Sequence, residues 1–246
     1  MGGEKCKYLD IDNSMLSQSL LAFLEDLGAH NHKDRMDNNR TWYKDVREEF
    51  VDFVKKLMII YGSINPAFRD LKLREVMFRI NKDVRFSKDK SPYKPWLSAY
   101  FSVEGKKSPF VWPYVHVQPG NHSFVWWWLH NPERWLLKAF RRHIAGDYKA
   151  FGALLRKKDF VSFFGSLTGN SLTTAPQWYS QDHPAIEILR YKSFYFHHPL
   201  RDKEVLRDDF MAVCEESMRV AEPVHAYINR IVEECREAAD EEIFVD

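Results

Sequence analysis

The run VWPYVHVQPGNHSFVWWWL, residues 111–129, decides how this chain folds. Two apolar stretches, Val111 to Gln118 and Ser123 to Leu129, flank the turn signal Pro119, Gly120, Asn121. Gly and Asn tolerate the left-handed backbone that closes a hairpin, so the spacing predicts two antiparallel strands. A tight turn would pair Tyr114 near Trp127 and Val115 near Trp126. Side chains alternate between faces along a strand. Both faces of the hairpin therefore carry large aromatics, and neither suits free solvation. One face is expected to pack on helices. The other is either covered as well or lines a cleft.

Working outward, Trp96 to Val103 and residues 76 to 81 read as two more strands of the same sheet, and Phe194 to His198 as another. Ahead of them, Leu16, Leu20, Phe23, Leu24 and Leu27 recur at helical spacing, with Gly28 as a stop. A longer helix from about Trp42 carries Val46, Phe50, Phe53, Val54 and Leu57, and Pro66 opens a short helix before the strand of Arg79. Asn131 and Pro132 form a cap and first-turn proline for a helix through about Ile144. Short helices fill 147 to 168, and two helices starting near Asp208 and Pro223 close the chain. The pattern predicts an α+β single domain over residues 14–238: an antiparallel or mixed sheet of about 4–5 strands with helices at both chain ends. Residues 1–13 are expected to be a flexible N-terminus and 239–246 an acidic tail.

The most highly charged passage follows residues 76–81. Between Lys72 and Lys94 there are eight Lys or Arg against three Asp or Glu, on a chain whose formal net charge is only +1. If the strand continues, Arg79, Asp83 and Arg85 project from one face. Two guanidiniums flanking a carboxylate make a fork-shaped receptor for phosphate or carboxylate. The loop adds Lys88, Asp89, Lys90 and Lys94, with Pro92 restricting its path and Tyr93 as a hydrogen-bond donor. The plainer alternative is a solvated edge with Arg79 and Asp83 as a structural ion pair.

The same passage carries a resemblance. Phe78-Arg79-Ile80, Lys82-Asp83, Arg85-Phe86-Ser87-Lys88-Asp89-Lys90 and Pro92-Tyr93-Lys94 resemble the signature of the family called domain of unknown function 2461. Asn38-Asn39-Arg40-Thr41-Trp42-Tyr43 resembles its early element, and Asp182-His183-Pro184 with Leu189 and Lys192-Ser193-Phe194-Tyr195 its later one. Together they span about residues 15 to 232. The resemblance implies no particular activity, but it adds Asn39 and Trp42 to the candidate pocket. The local alternative is that Asn39 caps the second helix and Trp42 anchors it. Lys82 stands where the family pattern usually has Arg, and Trp126, Trp127 and Trp128 stand where it tends to small residues. His30 to Met36 is a further local difference.

Composition narrows the function classes. With 45% hydrophobic and 15% aromatic residues, 246 residues suffice for a packed core. A local basic patch on a nearly neutral chain suits a small anionic ligand better than a long duplex. The longest apolar run, Phe124 to Leu129, is too short to cross a bilayer, and no signal peptide is evident. Cys6 occupies the position where a myristoylation signal needs Ser or Thr. Cys6, Cys214 and Cys235 have no redox or metal spacing, which together with the missing leader suits an intracellular, cytoplasmic protein.

Ten histidines supply no recognisable set of three or four metal ligands, so neither metal nor other cofactor is expected. The Gly165 to Asn170 stretch lacks the Lys-Ser/Thr of a phosphate loop and reads as a turn. Among acid–base candidates, Asp83 is the best carboxylate and His183 the best histidine, by exclusion. The cluster of Trp112, Tyr114, Trp126, Trp127 and Trp128 either packs in the core or stacks bases or sugars. Two functions stay open. One is a basic pocket for a phosphorylated or other anionic small ligand, with the reaction and even enzyme status undetermined. The other is a non-catalytic interaction module for an acidic protein partner or single-stranded nucleic acid, a less favoured partner. Oligomeric state cannot be read here.

Overall fold

The computed structural model describes residues 16–106, 108–129 and 132–243. Expectations for residues 1–13, for Cys6 and for the Asn131 cap lie outside them. The described residues form an α+β domain around one antiparallel sheet of four strands in the order β1 (Leu97–Tyr100), β2 (Pro113–Val117), β3 (Ser123–Leu129), β4 (Phe194–Leu200). Ahead of the sheet come α1 (Gln18–Ala29), α2 (Lys33–Asn38), α3 (Arg40–Ile64) and the single turn α4 (Leu73–Val76). Between β3 and β4 lie α5 (Arg134–Gly146), α6 (Tyr148–Leu155), α7 (Lys158–Phe164) and α8 (Ile186–Leu189). After β4 follow α9 (Asp202–Val205) and α10 (Phe210–Ile243). No helix among the described residues is long and apolar enough to cross a membrane.

Three expectations are corrected. Residues 76–81 are not a regular strand. One helical turn ends at Val76, and the extended chain beyond it makes only isolated bridges, Met77 to Ala99 and Asn81 to Tyr93. The fourth strand is β4. The hairpin register also differs by one residue: Tyr114 faces Trp126 and Val115 faces Val125. The connection is longer than a tight turn, because Ser123 Oγ donates to the Gln118 carbonyl and accepts from its N–H. Gly120 and Asn121 take φ of 80° and 62°, and the Asp202 carboxylate accepts from both their N–H groups at 2.9 Å. Finally, Pro223 sits inside α10 instead of starting a new helix.

One sheet face forms the core. Val115, Val117, Val125, Trp127, Leu129 and Phe196 are buried. The Trp127 indole donates to Ser217 of α10 at 3.1 Å. Asn229 of the same helix clasps the Val111 backbone at both N–H and carbonyl. The other face carries Tyr100, Tyr114, Phe124, Trp126, Trp128 and Tyr195, of which only Tyr100 is buried. Alternation thus divides the three consecutive tryptophans: Trp127 packs, while Trp126 and Trp128 face the other side.

Candidate functional site

The basic passage folds as an arm clasped at its base. Ile80 and Tyr93 are buried, and across the clasp Lys82 N–H donates to the Pro92 carbonyl and Lys94 N–H to that of Ile80, both at 2.8 Å. The Asn31 amide holds the Tyr93 backbone from both sides, at 2.8 and 3.0 Å. Phe78 N–H donates to the Ser98 carbonyl, which fixes the arm against the free edge of β1.

Between the arm and the β1–β2 connection lies a cavity of about 570 Å³. Phe78 and Val84 supply its apolar lining. The Lys94 and Lys106 ammoniums lie 5.3 and 4.2 Å from the Phe78 ring centroid. Each also donates to a backbone carbonyl, Lys94 to Arg79 and Lys106 to Met77, at 2.9 Å. Neither has a carboxylate partner among the described residues, and Arg79 makes no salt bridge there. Burial first, then neighbouring cations, lowers both lysine pKa values. Such a cluster favours any anion that enters it.

Arg79 and Arg85 line this same cavity, but not by strand parity. The chain turns after Lys82, so Asp83 and Arg85 approach each other directly. Arg85 donates Nε to Asp83 Oδ1 at 2.9 Å and a terminal nitrogen to Oδ2 at 2.6 Å. The expected carboxylate between two guanidiniums is therefore a closed Asp83–Arg85 pair, its side chains 60% and 76% exposed. The Arg85 hydrogen bonds hold the Asp83 carboxyl down to about 2.

The remaining candidates separate by role. Asp89 binds Lys82 at 2.5 Å and also accepts from Ser91, and these bonds hold its carboxyl well below the usual range. Lys90 donates to the Val84 carbonyl, stapling the tip. Lys88 is exposed on that tip and does not line the cavity. Tyr93 is buried at the clasp as an anchor, with no hydrogen bond from its hydroxyl among the described residues. Asn39 joins α2 to α3 and donates to the Arg35 carbonyl, while Trp42 donates to Ser19 and packs its edge on Phe23. His183 stands between Tyr148 and Tyr179 and accepts from Ala185 N–H. None of these three lines the cavity. Among the described residues no group of His, Cys, Asp and Glu is arranged to hold a metal.

Sequence reasoning missed Lys106, Asn31 and the polar chain beside Phe78. The Phe78 ring meets Tyr114 edge-on at 6.1 Å. Tyr114 Oη lies 3.0 Å from His116 Nδ1, and His116 Nε2 lies 2.8 Å from Gln118 Oε1. Since that oxygen only accepts, Nε2 carries the ring proton and the Tyr114 hydroxyl donates to Nδ1. Burial lowers the His116 pKa to about 4, leaving it neutral at physiological pH. The i, i+2 spacing of Tyr114, His116 and Gln118 on one strand face was a readable signal. The arrival of Lys106 was not.

The sequence model of a family described as "Conserved hypothetical protein (DUF2461)" matches residues 19–227. The chain belongs to this family. The match takes in the basic arm, the whole sheet and the first half of α10, so the cavity is built from DUF2461 residues throughout. No curated protein and no solved structure matches the chain.

Proposed function

We propose that this DUF2461 protein binds a phosphorylated or otherwise anionic small ligand in the cavity between the basic arm and Lys106. The observation that carries this reading is the charge of the lining: Arg79, Lys82, Arg85, Lys94 and Lys106 against the single carboxylate Asp83. A volume near 570 Å³ lies within the usual range of small-molecule sites, about 300–1,000 Å³. Lys94 and Lys106 spend their donors only on carbonyls, so an entering phosphate meets cations not already neutralised. The reading is of binding, and it assigns no reaction.

One observation favours the second reading, an interaction module. Phe86 at the arm tip is 95% exposed, with the Arg85 guanidinium 5.9 Å from its ring. A tip of that kind suits a partner surface. Calorimetric titration with inorganic phosphate and with pyrophosphate separates the two. Binding is expected, and Lys94→Met with Lys106→Met should abolish it while the fold persists, since methionine retains most of the apolar stem over Phe78. Unchanged phosphate affinity in the double variant would overturn the pocket reading.

A further inference from the structure

A second cavity, of about 400 Å³, opens where β1 ends, β3 runs out and α5 begins. Tyr100, Trp128, Trp135 and Leu136 supply walls, and Ser108 and Glu133 are among its polar groups. Lys106 lines this cavity and the basic one alike, so a single side chain borders both. A lysine can serve the two at once, with its apolar stem beside rings and its ammonium among charges. We propose that this cavity seats an aromatic ring of the ligand whose anionic group occupies the basic cavity. The inference rests on the anion reading above and narrows its ligand to ring-bearing anions of the aryl phosphate kind.

Three observations converge on it. First, the walls are aromatic and the step between the cavities is short. Tyr100 stacks on Trp128 with centroids 5.1 Å apart at 12°, and Trp128 meets Tyr114 at 5.2 Å. Tyr114 in turn meets Phe78 of the basic cavity at 6.1 Å, so one ring intervenes between Phe78 and Trp128, and Lys106 spans the same step. Second, Trp135 is 42% exposed, and its indole donates to the Glu133 carboxylate at 2.6 Å. A large ring held in place at a cavity wall loses little freedom when a guest covers it. Third, Tyr100 is only 4% exposed, yet its hydroxyl makes no hydrogen bond among the described residues. Buried polar groups ordinarily have partners, and burial keeps this phenol protonated as a donor for a substituent on the guest ring. The Glu133 carboxylate disfavours a second anionic group here, so the part of the ligand in this cavity is uncharged.

The test titrates the intact protein with inorganic phosphate, phenyl phosphate, benzyl phosphate, cyclohexyl phosphate and phenol. The better aryl ester is expected to bind more tightly than phosphate by about fivefold or more, the scale of one aromatic contact. It should also outbind cyclohexyl phosphate, which has the bulk but no π-face. Trp135→Ala removes an exposed wall with little risk to the fold, and it should erase the aryl preference while phosphate affinity stays unchanged. Equal affinity for phosphate and both aryl esters overturns the inference while the anion reading stands. An aryl preference that survives Trp135→Ala also overturns it, because the ring then sits elsewhere. Cyclohexyl phosphate matching the aryl esters does the same, because the cavity then selects only for apolar bulk. Phenol binding that depends on Trp135, with phosphate silent, keeps the ring site and removes the anion reading. Absence of binding by all five compounds overturns both.

Discussion

Asp83 and Arg85 lie two residues apart, and their side chains close on each other at the surface. Exposed pairs of this kind contribute little to stability, because water already solvates both partners. Asp83→Asn should therefore leave the unfolding temperature almost unchanged, as thermal melts would show. Its effect belongs to binding: the freed Arg85 fork faces the cavity, and phosphate affinity should rise. A fall in affinity would mean that Asp83 orients Arg85 for the ligand. For the same reason Arg85→Lys should be mild in the free protein, since the planar fork is already committed to Asp83. The Asp83 carboxyl is depressed from 3.8 to about 2. Its small stabilisation is thus present above pH 4 and is lost as pH falls toward 2.

The arm depends on side chains distant in sequence. Asn31 is 62 residues from Tyr93, yet it supplies both hydrogen bonds that hold that backbone. Asn31→Ala should cost about 1–3 kcal/mol, the range for leaving part-buried backbone groups unpaired. Hydrogen exchange should rise at Lys82 and Lys94, whose amides close the clasp. The long helix α10 makes the opposite point. Proline inside a helix removes a hydrogen bond and crowds the preceding turn, which is why Pro223 reads as a helix start. Val224, Ile228, Ile231 and Val232 are nevertheless buried beyond it, and His225 packs against Trp112 and Trp127. That packing outweighs the propensity. Pro223→Ala should stabilise the protein by about 1–3 kcal/mol in denaturant unfolding, and a loss would show that α10 needs its proline.

Across the whole molecule, the cation cluster couples binding to protons. Lys94 and Lys106 have lowered pKa values in the folded chain, so between those values and 10.5 the unfolded chain holds more protons. In that window these two groups make the ligand-free protein more stable as pH rises. A bound phosphate favours the charged ammoniums and reverses the trend. Phosphate affinity should fall as pH climbs through the lowered lysine values, and binding in that range should take up protons, visible as a buffer-dependent heat in calorimetry. A proton uptake of zero there would exclude both lysines from the site.

The sequence by itself determined the local features: the hairpin around Gly120 and Asn121, the apolar stripes of α1 and α3, the division of Trp126, Trp127 and Trp128 between two faces, and the concentration of charge in one arm. Each follows from periodicity, turn chemistry or composition over neighbouring residues, which short-range forces impose. The tertiary structure alone decided the register, because Asp202 holds the hairpin connection from 81 residues away. It decided that 76–81 is an arm rather than a strand, and that Asp83 turns to Arg85. It also brought Lys106 onto Phe78, 28 residues earlier in the chain. Those outcomes depend on contacts between distant segments, and no pattern along the chain encodes which distant partner completes a hydrogen bond or gathers a charge cluster.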